Sequence, residues 1–379
     1  MREGCAILLV LAVLAAPLEV RAADSGTATE LNNQAIVEGR AGRFEQAVSL
    51  LRKALLLNPS DALIRKNLSY ALTDLAGVKY QREGNATQAF QLLREAVDYF
   101  PQNGPAWVHL GDVYYLERND FGQAVEAWKK AHGFVPETQW AGIAGRITQA
   151  ERDASVERRF AAEATTHFQI RFDGPEQRQV VVRVGQRLEE EYQRLAEDLG
   201  DIPTSMTVIL YPPGSFEKVN AKMDWAIGFY DGRIRVRMEE IGTPWEERVL
   251  AHELTHAFLH QLFGNGIPTW VHEGYAQVRE PKRPFSEQER RIMDGISSRS
   301  LWVPLKWLDS HFEQPSDMED VLRAYAQARM VVEFLNSTYG TQRFKQFLKR
   351  LASGELLESA FDASFAPSRW VRFDQGTLE

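Results

Sequence analysis

The chain has 379 residues, is 44% hydrophobic and carries a formal net charge of −8. That length allows two or three domains with sizeable apolar cores, and the acidic balance offers no basic surface for a general nucleic-acid binder. The first segment reads as a removable leader. Arg2 supplies the leading charge, residues 5–17 form an apolar run, and Val20-Arg21-Ala22 fits a small-residue cleavage site. The run is too short for an ordinary membrane-spanning helix. Residues 1–22 are therefore expected to direct export, with cleavage after Ala22 or Ala23 and no stable membrane insertion afterwards. Cys5 is the only cysteine. An exported chain without disulfides must rely on its core, which suits a bacterial periplasm better than a disulfide-rich extracellular setting.

Residues 28–138 carry internal repetition. Gly42-Arg43-Phe44-Glu45-Gln46-Ala47 precedes Pro59, Gly84-Asn85-Ala86-Thr87-Gln88-Ala89 precedes Pro101, and Asn119-Asp120-Phe121-Gly122-Gln123-Ala124 precedes Pro136. Each unit runs turn, Gln-Ala, apolar helix, proline. Trp107-Val108-His109-Leu110-Gly111 with Tyr114 resembles the Trp-x-x-Leu-Gly-x-x-Tyr pattern of tetratricopeptide repeats. The resemblance implies an α-solenoid of three helix pairs, the middle one with a longer first helix, and a concave face able to bind a peptide or protein partner.

A helical linker or cap is expected over residues 139–164, a mixed α+β domain over 165–365 and a tail over 366–379. Residues 167–172 alternate like a strand, residues 175–199 read as a long helix, and Met206-Thr207-Val208-Ile209-Leu210-Tyr211 reads as a buried strand. Residues 226–230 and 233–238 flank Asp231-Gly232 and predict a hairpin. Its alternation of Arg233, Arg235 and Arg237 with Ile234, Val236 and Met238 predicts one solvent-facing side. Helices are expected beyond residue 331, and Trp302 and Trp307 are expected to fill core.

Between these elements lies His252-Glu253-Leu254-Thr255-His256. On a helix the two histidines fall one turn apart on one face. They can then take two corners of a tetrahedral zinc site, with Glu253 beside the corner left for water as general base. The flanks support a helix. Thr243 and Pro244 suit its N-cap and first residue, Val249, Leu250, Leu254, Ala257 and Phe258 have buried-helix spacing, and Gly264-Asn265-Gly266 followed by Pro268 ends it near Phe263. A third ligand is required. His260 lies a further turn along, roughly 6 Å beyond His256, and is expected to be structural. Leu259 and Leu262 occupy the places where a Gly-turn class would need glycine and histidine. Glu273, on a second helix starting near Trp270, is the better candidate. His272, beside it, would point away on a helix and is expected to be structural or to support a ligand.

The stretch from His252 to Ala276 resembles the gluzincin zinc peptidases, in their peptidase-MA-like branch, where Pro-x-Trp-x-x-Glu-Gly follows the zinc helix. The resemblance implies His252, His256 and Glu273 as ligands of one zinc ion per chain and Glu253 as base. It also implies a mixed sheet ahead of the zinc helix, whose edge pairs with an extended substrate; Gly228, Phe229 and Tyr230 are the candidates. Family aminopeptidases use a downstream tyrosine to stabilise the oxyanion, which points to Tyr325, with His311 as second choice. Thermolysin-like members place an aspartate four residues after the ligand glutamate to orient a zinc histidine. Here Gln277 stands there, so another group must take that part.

The combined expectation is an exported zinc peptidase acting on peptide or protein substrate, with a repeat module that recruits substrate or partner. Two alternatives stay open: a non-catalytic repeat scaffold in envelope assembly with a vestigial peptidase domain, and a zinc amidase acting on a non-peptide amide. No Gly-x-Met-Glu-Asn segment for gripping an N-terminal amine precedes the zinc helix, which tilts toward an endopeptidase.

Overall fold

A computed structural model describes residues 18–202, 205–220, 226–313, 315–366, 368 and 370–374. The expected leader lies outside them as far as residue 17. No described helix is long and apolar enough to cross a membrane. The chain divides into two compact units: one holds the described residues of Met1–Lys79, Thr87–Leu110 and Ala127–Trp140, the other Tyr80–Ala86, Gly111–Glu126 and Ala141 onward.

The first helices in chain order are α1 (Leu18–Arg40), α2 (Phe44–Leu57), α3 (Ala62–Gln81), α4 (Ala86–Tyr99), α5 (Gly104–Leu116), α6 (Phe121–Ala131) and α7 (Glu137–Glu157); the first unit holds α1, α2, nearly all of α3 and α4, the start of α5, the end of α6 and the start of α7. Small and branched apolar residues recur at helical spacing on the buried sides, as with Ala47, Val48, Leu51 and Ala54 on α2 and Ala89, Leu92, Leu93, Ala96 and Val97 on α4. Asn103 sits between helices, fully buried. Its amide donates to Ser69 Oγ (2.8 Å) and Thr73 Oγ1 (3.0 Å), and its carbonyl accepts from the Ala106 amide at the start of α5.

In the second unit β1 (Ala161–Ala164), β2 (Phe168–Phe172), β3 (Met206–Tyr211), β4 (Gly228–Tyr230) and β5 (Ile234–Arg237) form a mixed sheet of order β1-β2-β3-β5-β4. The inner pairs β2–β3 and β3–β5 are parallel, and the outer pairs β1–β2 and β4–β5 antiparallel. Helix α8 (Arg178–Leu199) connects β2 to β3. After α9 (Phe216–Val219) and the hairpin come α10 (Glu246–Phe263), α11 (Thr269–Arg279), α12 (Glu287–Ser297), α13 (Leu305–Leu308), α14 (Ser310–Glu313), α15 (Met318–Tyr339), α16 (Thr341–Ala352), α17 (Leu357–Ser364) and α18 (Trp370–Asp374).

Strand alternation sends Ile170, Val208, Leu210, Ile234 and Val236 into one continuous core with α8, α10, α11 and the later helices. The opposite sheet face is covered too, which overturns the expected solvent-facing side of the hairpin. Arg233 and Arg235 are 0% exposed. They meet Asp153 and Glu157 of α7: Asp153 accepts from Arg235 at 2.8 Å and Arg233 at 3.2 Å, Glu157 pairs with both guanidinium groups, and Tyr115 and Tyr211 donate hydroxyl hydrogen bonds to the same two carboxylates. The charges balance inside, which is what allows the arginines to be buried.

Three smaller differences have local causes. Residues 161–164 form β1 rather than continuing a helix, because Ala161 to Ala164 pair in register with β2. Trp307, expected in the core, is 61% exposed, whereas Trp302 packs on the core and donates to the Asp374 carbonyl. Helix α10 begins at Glu246, later than Thr243 would set it. The Thr243 hydroxyl instead donates to the Glu240 carbonyl and accepts from the Trp245 amide, forming a turn ahead of the helix.

Candidate metal centre

Helix α10 ends at Phe263 on Gly264, whose φ of 68° reverses the chain. Helix α11 then crosses α15 at close range. An added Cβ at Gly274 would lie 2.4 Å from the Ala328 carbonyl oxygen, so only glycine permits this approach. The crossing turns the neighbouring residue, Glu273, toward α10.

There His252, His256 and Glu273 converge, each presenting a ligand atom within 4.8 Å of the others. The two Nε2 atoms are 3.1 Å apart, and the Glu273 oxygens lie 3.4 Å from His252 Nε2 and 3.6 Å from His256 Nε2. Two imidazole nitrogens facing each other this closely cannot both carry protons. Glu273 Oε2 is buried with no hydrogen-bond partner among the described residues. An ion at the shared point gives all three donors a partner, and a two-nitrogen, one-oxygen set suits a divalent metal such as zinc.

Around this trio the electrostatics are strongly tuned. Burial alone would raise Glu273, but His256 and His252 outweigh it and hold its carboxyl far below the usual range. Burial would lower His252, yet the adjacent Glu273 and Glu280 carboxylates and the charge of Glu253 bring the metal-free imidazole up to about 10. Burial pushes the Glu253 carboxyl up, against the pull of His252 and His256.

The part left open by Gln277 falls to Glu280. Its Oε1 lies 2.8 Å from His252 Nδ1, and its other oxygen accepts from Arg248 Nε. Seven residues after Glu273, Glu280 lies two turns along the same face, and that spacing was the available signal. Gln277 instead donates its amide to the Tyr325 carbonyl at 2.9 Å, tying α11 to α15.

The trio opens onto a cleft of about 640 Å³. Strand β4 is the edge of the sheet and lines it through Gly228, Phe229 and Tyr230. Gly228 lies flat against α10, since a Cβ there would come within 2.7 Å of Val249 Cγ2 and 3.0 Å of Glu253 Cγ. Tyr325 lines the cleft from α15; burial, then the Glu273 and Glu253 charges, push its phenol well up. His311 is not brought there. It is held by Asp320 at 2.7 Å on another helix. His260 lines the cleft against the Tyr230 ring, 5.7 Å away, outside the metal-binding group. His272 does not point away: it lines the cleft and stacks on His256 with centroids 5.8 Å apart, outside the metal-binding group, in keeping with a residue that supports a ligand. Burial and the His256 charge lower it to about 4, so it stays neutral.

Compared with known families, residues 219–374 match the Peptidase MA superfamily, and residues 32–75 and 75–133 match the tetratricopeptide repeat. No curated protein matches the chain.

Proposed function

We propose that this chain, which carries a Peptidase MA superfamily domain behind tetratricopeptide repeats, is an exported zinc-dependent peptidase of the bacterial periplasm. The convergence of His252, His256 and Glu273 at one point inside a cleft carries the proposal. These three residues would hold the ion. When bound, zinc supplies Lewis acidity and lowers the pKa of water toward about 7.

The remaining work belongs to the chain. Glu253 accepts a proton from the attacking water and passes it to the leaving amine. Its raised carboxyl suits both halves of that task. Tyr325 donates its hydroxyl to the oxygen that gains charge as the carbonyl becomes tetrahedral. Glu280, braced by Arg248, keeps His252 turned toward its neighbours. The free edge of β4 receives an extended substrate by backbone pairing, which reads main chain rather than side chains. The repeats would recruit the substrate or a partner protein.

The test replaces Glu253 with glutamine. Wild type and Glu253→Gln should both bind one zinc per chain by metal analysis, and only wild type should cut a proteome-derived peptide pool. Cleavage that persists in the variant, or wild-type protein that takes up no zinc, sinks the proposal.

A further inference from the structure

The α15 wall of the cleft carries a charge that hydrolysis does not use. Met318, Val321, Leu322, Tyr325, Ala326 and Arg329 line it, a spacing that sets them on one helix face. The Arg329 side chain is only 14% exposed. Its guanidinium lies 4.7 Å from the ring centroid of Phe285, another lining residue. Among the described residues, the only carboxylate within ion-pair range is Glu333, at 3.9 Å and 53% exposed, and Arg329 Nε has no hydrogen-bond partner. Of the other carboxylates lining the cleft, Glu280 is committed to Arg248 and His252, Glu289 to Arg283 and the Ser286 amide, and Glu273 to the two histidines, while Glu253 is the proposed base and forms no ion pair with Arg329. A cation sunk this deep is costly without a partner. Stacked on an aromatic ring with donors to spare, a guanidinium is a fork shaped for a carboxylate.

We propose that Arg329 is a specificity-determining residue that binds a carboxylate of the substrate, one or two residues from the bond addressed by Glu253 and Tyr325. This rests on the peptidase assignment of the same cleft. Tyr325 and Arg329 are four residues apart, roughly 6 Å along the helix. An extended peptide advances about 3.3–3.6 Å per residue. A carbonyl beside Tyr325 and a carboxylate on Arg329 therefore belong to neighbouring residues of one substrate. The carboxylate is either the C-terminal group of a peptide or the side chain of an aspartate or glutamate, since both offer the same pair of oxygens.

The experiment uses zinc-loaded full-length protein and a fluorescein-labelled hexapeptide pool with a randomised core, made as four matched sets: free C-terminus, amidated C-terminus, internal glutamate and internal glutamine. Wild type should favour the acidic member of at least one pair by about ten- to a hundredfold in kcat/KM, the range for a charge-assisted hydrogen bond. In Arg329→Gln the ratio should fall to near one. In Arg329→Lys, which keeps the charge but not the fork, it should be intermediate, and this variant serves if the glutamine does not fold. A preference confined to the free-versus-amidated pair assigns the C-terminal carboxylate; one confined to the glutamate–glutamine pair assigns a side chain. A wild-type ratio near one, or a ratio unchanged in Arg329→Gln, overturns the proposal. The same sets are titrated by anisotropy onto Glu253→Gln and Glu253→Gln/Arg329→Gln protein, where no turnover is needed. If wild type cuts nothing yet acidic peptides bind in an Arg329-dependent way, hydrolysis fails and the carboxylate site stands. Equal affinities within both pairs, or no binding, overturn it.

Discussion

Replacing Glu280 with glutamine tests whether the cleft is a built metal site. Glu280 is 4% exposed, its Oε1 is 2.8 Å from His252 Nδ1, and its other oxygen is held by Arg248. A glutamine of the same length can still accept from Nδ1–H, but it loses the negative charge that makes Nε2 a stronger donor to an ion. Supporting groups of this kind typically contribute ten- to a hundredfold in metal affinity, or about 1.4–2.8 kcal/mol. Competition against a chromophoric chelator reads the change directly. At limiting zinc, Glu280→Gln should lose activity in step with occupancy and regain it with excess zinc. Because the change also leaves Arg248 without its partner, melting of the metal-free proteins separates a folding loss from a binding loss. If Glu280→Gln binds zinc within twofold of wild type while folding equally well, the positioning role given to Glu280 is wrong.

Tyr325→Phe should lower kcat by about a hundred- to a thousandfold with little change in KM or zinc content, as removal of one oxyanion donor does elsewhere; steady-state kinetics that show a KM effect alone would contradict that placement. Asp153→Asn should destabilise the fold by about 3–5 kcal/mol, the cost of breaking a buried ion pair, measured by urea unfolding; a loss under 1 kcal/mol would mean the arginines find other partners. Metal uptake should release a proton. With metal-free His252 at about 10, it is charged at neutral pH and must give up its proton to bind an ion, so affinity rises with pH until that value is passed. Calorimetry of zinc binding in buffers of different ionisation enthalpy should count about one proton from this group near pH 7. The same shift has the opposite sign for the metal-free fold: the folded pKa lies above the unfolded value of about 6.5, so His252's stabilising contribution is complete below that and is lost as pH climbs toward 10.

The convergence of His252, His256 and Glu273 is legible in the sequence because it is local. His252, Glu253 and His256 lie within one turn, and Glu273 follows after a Gly/Pro break that itself implies a second helix. Apolar periodicity placed β3 and α10, and turn and proline spacing placed the repeats. What escaped depends on partners far apart in the chain. Arg233 and Arg235 alternate with Ile234 and Val236, a pattern that ordinarily means a half-wet strand; the carboxylates that make them interior lie 80 and 76 residues upstream of Arg233. Helical angle alone turns His272 away from Glu273, yet both line the cleft. Helix α10 starts late because the Thr243 hydroxyl prefers its own turn, a local competition that residue preferences do not resolve.

The charge cluster behind the sheet sets a limit on how little of the chain can stand alone. Strand β5, partner of the cleft's edge strand, is neutralised from behind by side chains that precede β1. A truncation that started between β3 and β4 would keep both arginines and discard Asp153, Glu157, Tyr115 and Tyr211. Arg233 would then lose both of its carboxylates and Arg235 would keep only Asp231, on the strand against which Gly228 is registered. A piece that keeps this cluster whole reaches back at least to Tyr115, into residues that match the tetratricopeptide repeat.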